Sequence, residues 1–330
     1  MKTRFLAMAI LLAGGFAARA QLTHDDIRRD LSNADELIGQ GKYPETIKLL
    51  KDAIDRFDKA RQGGATGAYF AYLGALGVDA GQFKDADQLL KSAENYSAKA
   101  EDEWDAVISR EQAALHLERG EYDAALKSAK RAYDRFGSNG DSFTYLRAAY
   151  CQSLAAEAQL GLGKTDQAET LVRDALKVVP KKETEKSFIA PRILYAACRV
   201  ETRHANFAEA EQLCRRGIVM AENAGAGSRN VALGYLALAE LFLQQGDLAK
   251  AAESGKKCLA QTEQTFGSQH QDAMQALEVL ARVNMKQGNP DEAELHAKLA
   301  VEIAKALFGD SAAPAKAARQ TLNEVTKASK

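Results

Sequence analysis

The sequence predicts an all-α chain: a solenoid of about seven stacked helix hairpins closed by a capping helix. Three observations carry that expectation. The chain is alanine-rich, with only 5 prolines in 330 residues and 7% aromatics, a composition that favours helix. A short turn signature recurs along it, reading GKYPET from Gly41, GQFKDA from Gly81, GEYDAA from Gly120, GKTDQA from Gly163, ANFAEA from Ala205, GDLAKA from Gly246 and GNPDEA from Gly288. Its successive starts lie 40, 39, 43, 42, 41 and 42 residues apart, and near-constant spacing of this length marks a repeat architecture.

Taken in order, the first twenty residues, MKTRFLAMAILLAGGFAARA, have the three-part form of a secretory signal. Lys2 and Arg4 make the cationic start, Phe5 to Ala18 the apolar stretch, and Ala18-Arg19-Ala20 the cleavage site. The apolar run is shorter than the roughly 20 residues that span a bilayer, and Gly14 and Gly15 interrupt it. No cysteine lies near the cleavage point, which argues against lipid anchoring there. The expected location is therefore periplasmic or secreted. Removing Lys2, Arg4 and Arg19 leaves 41 basic against 45 acidic residues, a net charge of −4; a nucleic-acid binder would show a basic excess. No later segment is apolar enough for a membrane span.

Each hairpin has a physical reason. A helix ends, glycine takes the left-handed conformation that closes it, and a second helix starts at the acidic positions. The aromatic after the glycine is expected to pack back on the first helix. Seven positions before each turn stands a small residue, Ala34, Gly74, Ala113, Ala156, Cys198, Ala239 and Ala281, which lets the helices approach closely. Ala53, Ala93, Ala132, Ala175 and Ala300 mark a matching position on the second helix, where Gly217 and Cys258 stand in the other two hairpins. The expected hairpins span about 27–60, 67–100, 106–139, 149–182, 191–224, 232–265 and 274–307, followed by a capping helix at 314–328 with Pro314 in its first turn.

Motifs of enzyme chemistry are weak. The stretch GLGKTDQAE at Gly161 ends like a phosphate-binding loop, but Ala158 replaces the required glycine and the segment is a repeat turn. The histidines His24, His116, His204, His270 and His296 have no metal-ligand spacing. Carboxylates on amphipathic helices read as solvated faces, and no nucleophile elbow is present. No catalytic residue, metal or cofactor is implied. Cys198 and Cys214 lie nearly equidistant from the turn at Ala205, so they read either as a disulfide or as two small buried side chains. The stretch TFGSQHQDAM from Thr265 looks like a site loop. Its Phe266-Gly267 step returns 42 residues later as Phe308-Gly309, where Ala312 replaces the histidine. It therefore reads as a hinge between hairpins, with His270 a capping or packing side chain.

The whole pattern resembles the tetratricopeptide repeat, most closely in FAYLGALGVDAGQFKDADQLLKSA, where Phe70, Leu73, Gly74, Gly81, Phe83, Ala86 and Ala93 stand in register. Pro180 falls where that family closes a repeat, and the spacing of about 42 is similar to the kinesin-light-chain type. The resemblance implies a right-handed solenoid whose first helices line a concave groove that holds a peptide or protein. Carried over by register, that groove includes Tyr150, Ser153 and Glu157, then Arg192, Tyr195, Arg199 and Arg203, then Leu236, Glu240, Gln244, Glu278, Arg282 and Lys286. Arg192, Arg199, Arg203 and Arg282, with Tyr195 nearby, can clamp a carboxylate in the forked geometry of guanidinium. Glu157 and Glu240 are interleaved with them, so mutual neutralisation is the open alternative.

The implied function is a non-enzymatic scaffold of the envelope or secreted space. The alternatives are an enzyme or accessory domain acting on envelope polymers, which calls for a deep pocket with converging ionisable groups, or a glycan-binding or secretion-associated factor. The partner and the oligomeric state are not legible. Intact-mass analysis of the protein from its native host is expected to find Gln21 as the mature N-terminus; a chain retaining Met1 to Ala20 would remove the secretory reading.

Overall fold

A computed structural model describes residues 24–59, 63–97, 104–136, 142–182, 187–225 and 227–328. The expected secretory signal at 1–20 lies outside them. The described residues form fifteen α-helices and no strand. They pair as α1 (His24–Gly39) with α2 (Tyr43–Lys59), α3 (Gly63–Asp79) with α4 (Phe83–Ser97), and α5 (Trp104–Glu118) with α6 (Tyr122–Phe136). Next come α7 (Ser142–Gly161) with α8 (Thr165–Leu176), α9 (Ala190–Arg203) with α10 (Phe207–Gly225), α11 (Arg229–Gln245) with α12 (Leu248–Phe266), and α13 (Gln271–Gln287) with α14 (Pro290–Phe308). The last helix, α15 (Ala313–Ala328), buries Ala315, Ala318, Thr321 and Val325 against the end of this α-solenoid.

The turn signature works through backbone geometry. Gly41, Gly81, Gly120, Gly163, Gly246 and Gly288 all have φ between 69° and 87°, and Ala205 has φ 61°. At the first turn, Gly41 N–H donates to Ile38 O and Lys42 N–H to Leu37 O, both at 2.9 Å. This paired arrangement satisfies the carbonyls that a helix end would otherwise leave open. Ala205 makes the same two bonds, to Thr202 O and Asn206 N–H to Glu201 O, in a conformation that costs a residue with a Cβ about 1–2 kcal/mol.

The small positions are where helices touch. Ala34, Ala113, Ala156, Cys198, Ala239 and Ala281 are fully buried, and a Cβ on Gly74 would come within 2.8 Å of Leu90. Gly217 is cut away for the ring of Tyr195, whose Cε1 would lie 2.4 Å from an added Cβ. Leu236, expected in the groove, is instead fully buried beside Ala232, Cys258 and Ala276, because it faces the second helices. Cys198 and Cys214 are joined as a disulfide at 2.16 Å, tying α9 to α10. Closing a loop of this length contributes on the order of 3 kcal/mol in the chain-entropy account.

The solenoid winds far enough to meet itself. The turn of the first hairpin abuts the joint between α10 and α11, where a Cβ on Gly227 would lie 2.8 Å from the Gln40 backbone. The second turn, at Gly81, seats on the α12–α13 joint: Gln271 Nε2 donates to Val78 O at 3.0 Å and His270 Nε2 contacts Asp79 O at 2.7 Å. The third, at Gly120, meets Ala313 and Pro314 at the α14–α15 joint. The turn aromatics take part, and this corrects the expectation that they serve only their own hairpin. Tyr43 meets Phe266 at 4.9 Å between ring centroids, and Phe83 stacks on Phe308 at 4.7 Å.

The TFGSQHQDAM joint links two hairpins as expected, and it is also the seat of the second turn. His270 is fully buried, stacks on Phe266, and accepts the Asp272 N–H at its Nδ1 as the cap of α13. Burial pushes its pKa down, and accepting at Nδ1 leaves Nε2 to donate to Asp79.

Replacing Ala205 by glycine is expected to raise the unfolding free energy by about 1 kcal/mol. Gly246→Ala, in open space, should lower it by a similar amount. Chemical denaturation with an unchanged m-value is the readout.

Candidate functional site

The first helices of the third to seventh hairpins curve around a cavity of about 850 Å³. Side chains three and four residues apart share one helix face, and this brings the sequence-expected residues together. Tyr150, Ser153 and Glu157 come from α7; Arg192, Tyr195, Arg199 and Arg203 from α9; Glu240 and Gln244 from α11; Glu278, Arg282 and Lys286 from α13. All of these line the cavity, and Leu236 does not.

Their charges are largely matched inside the wall. Arg199 donates to Glu157 Oε1 at 2.7 Å and to Glu240 Oε2 at 3.0 Å. Arg192 donates to Asp79 Oδ1 at 2.7 Å, Asn230 Oδ1 at 2.9 Å and the Tyr150 hydroxyl at 3.1 Å. The four-arginine clamp thus loses two members to internal ion pairs: Arg199 to the interleaved acids Glu157 and Glu240, and Arg192 to Asp79 at the end of α3. Arg282 donates to the Thr321 hydroxyl of the capping helix at 2.7 Å, while Arg203 and Lys286 are exposed at the mouth. Ser153 turns back to the Tyr150 carbonyl and Gln244 bridges to Thr202 O. The Tyr195 ring is buried between Gly217 and Gly234, and its hydroxyl has no partner among the described residues.

Four groups that the sequence did not single out hold this wall in place. Arg229, only 3% exposed, makes a two-pronged pair with Asp272 at 2.8 and 2.6 Å and reaches Glu118 at 2.6 Å and Asp79 at 3.2 Å. Burial pushes the Asp79 and Asp272 carboxyls up. The arginines outweigh it and hold both below the usual carboxylate range, Arg192 and Arg229 acting on Asp79 and Arg229 on Asp272. For Glu118 burial wins, and its pKa is raised despite Arg229. The Arg229–Asp272 pair follows the repeat spacing, so a search for opposite charges about 42 residues apart would have found it. Asp79 is 150 residues from Arg229, and nothing local in the sequence announces that contact.

One lining carboxyl is unlike the rest. Glu278 Oε1 is shielded from solvent with no hydrogen-bond partner among the described residues. Burial pushes this carboxyl up to about 7; Arg282 opposes the shift, and Glu240 and Glu324 reinforce it. No group of His, Cys, Asp and Glu among the described residues is arranged to hold a metal, and no described helix is long and apolar enough to cross a membrane.

Residues 230–306 match the family model described as tetratricopeptide repeat. That stretch, from α11 into α14, carries the tetratricopeptide-repeat pattern. No curated protein matches its sequence. Among solved structures, the array is similar to a Rap protein complexed with Competence and Sporulation Factor. That pair is 14% identical, with a TM-score of 0.68 over 92% of this chain and 86% of the other. It is also similar to the APC/C hetero-tetramer Cut9–Hcn1, at 12% identity and a TM-score of 0.56 over 97% of this chain and 58% of that one. Both likenesses are of fold.

Arg229→Met is expected to destabilise the helical array by about 3–5 kcal/mol, because it strands buried acids. That cost should shrink in acid as the stranded carboxylates protonate. In the unmodified protein, the depressed Asp79 and Asp272 contribute stability that is present above the unfolded aspartate pKa of about 3.9 and lost as pH falls through their folded values. Thermal unfolding of both proteins from pH 7 down to pH 2 checks both signs.

Proposed function

We propose that this protein is a non-enzymatic binding scaffold of the cell envelope or secreted space, holding a peptide or protein segment in the cavity. The observation that carries the reading is the preformed cavity of about 850 Å³, whose wall is held by buried and part-buried ion pairs. A surface ordered before binding loses little freedom on binding. A similar structure is that of a Rap protein in complex with a factor, which supports the same reading. The Cys198–Cys214 disulfide supports an oxidising compartment, in keeping with the secretory form of residues 1–20. The lining residues named above are the proposed contacts, with Arg203 and Lys286 at the entrance.

A second reading draws on one observation. Glu278, titrating near neutrality inside a cavity, has the tuning of a general acid or base, as an enzyme acting on envelope polymers would require. The ion-paired state of Arg192, Arg199, Glu157 and Glu240 favours the scaffold, because those groups serve the wall.

Crosslinking in the native envelope followed by affinity capture is expected to recover a defined partner, with loss of that partner in an Arg203→Glu, Lys286→Glu double variant. Failure to recover any specific partner, or equal recovery by the variant, would count against the scaffold reading at this cavity.

A further inference from the structure

Among the charged groups of the cavity wall, Glu278 alone has a shielded oxygen without a hydrogen-bond donor among the described residues. Its neighbours are already engaged. Arg282, one helical turn along α13, gives its guanidinium to Thr321. Glu240 on α11 accepts from Arg199, and Arg199 is also held by Glu157 of α7. Glu324 on α15 accepts from Gln320. The groups acting on the Glu278 carboxyl are thus one cation, Arg282, and two further acids, Glu240 and Glu324. A buried acceptor left without a donor costs about 1–3 kcal/mol, and the Glu278 side chain as a whole is part-buried and lines the cavity that would receive a guest.

We propose that Glu278 is a seat for a cationic group of the bound segment, a lysine or arginine side chain or a free amine reaching the cavity floor. This rests on the reading of the protein as a peptide or protein binder and adds the chemistry of the guest to it. The sign is opposite to that of the acid clamp, one of the two readings the sequence leaves open; Arg192 and Arg199 are taken up by Asp79, Glu157 and Glu240. An ammonium or guanidinium supplies the missing donor as a charge-assisted bond. It also offsets the repulsion among Glu240, Glu278 and Glu324. Burial pushes the Glu278 pKa up to about 7, and a seated cation favours the charged carboxylate, so binding is expected to expel a proton.

The test is calorimetry at pH 7 on the purified protein, in two buffers of different ionisation enthalpy. The probes are pools of N-acetylated, C-amidated hexapeptides with a central lysine, norleucine or glutamate and random residues elsewhere. The lysine pool is expected to bind about tenfold tighter than the norleucine pool, with net release of protons on binding. Both the preference and the proton release should vanish in Glu278→Gln, with thermal unfolding of that variant confirming that it folds. Carboxyl ¹³C resonances give a second readout. Glu278 should titrate near pH 7 in the free protein and fall to the ordinary carboxylate range with the lysine pool present.

Peptides that bind with no preference for lysine, a preference that survives in Glu278→Gln, or an unchanged Glu278 titration would each overturn the cation seat while leaving the binding function standing. Binding by none of the pools would overturn the peptide-binding reading and this inference with it.

Discussion

The Arg229 cluster is the constraint on which the rest of the architecture depends. One guanidinium from the start of α11 holds Asp272 on α13, Glu118 on α5 and Asp79 at the end of α3, four places the chain visits in four different hairpins. A buried cation so placed tolerates no slack, since removing any partner leaves charge in a low-dielectric interior. Arg192 reinforces it from α9 through the same Asp79 oxygen. Together these contacts turn an open stack of hairpins into a ring-like wall, and the wall bounds the cavity.

Closure also changes the energetics. In an open repeat array stability is close to a sum of nearest-neighbour terms. Here the contacts of Gly41 with Gly227, Gly81 with Gln271, and Gly120 with Ala313 couple the first three hairpins to the last ones. Two sequence features that look independent are partners in it. The aromatic after the turn glycine and the Phe-Gly step at the joints meet across the winding, as Tyr43 with Phe266 and Phe83 with Phe308.

Periodicity made most of the fold legible, because each turn glycine, small residue and apolar stripe answers a local demand of helix capping or close packing. The lining of the cavity was legible for the same reason: register along α7, α9, α11 and α13 sets which side chains share a face. The pairing of those side chains was not. Arg199 with Glu157 and Glu240 links positions about 42 apart and lies within reach of the repeat pattern, whereas His270 with Asp79 and Arg229 with Asp79 depend on how far the superhelix rotates per hairpin. That rotation is a sum of small packing angles that no single residue states. The joint at TFGSQHQDAM and its capping His270 were legible as a link between hairpins; the turn that seats on it, nearly two hundred residues earlier, was not.

The meeting of turns and joints has a consequence for how such a chain can vary. Repeat proteins ordinarily lengthen or shorten by duplicating or losing whole units. In this one the first two turns meet the joints opening the hairpins five places on, and the third meets the joint opening the capping helix. A unit gained or lost between the second and sixth hairpins would offer Asp79 a different joint, with no Arg229 beside it. The number of hairpins is thereby tied to the register of closure. Variation by whole units is confined to the two ends of the chain, while the middle can change only residue by residue.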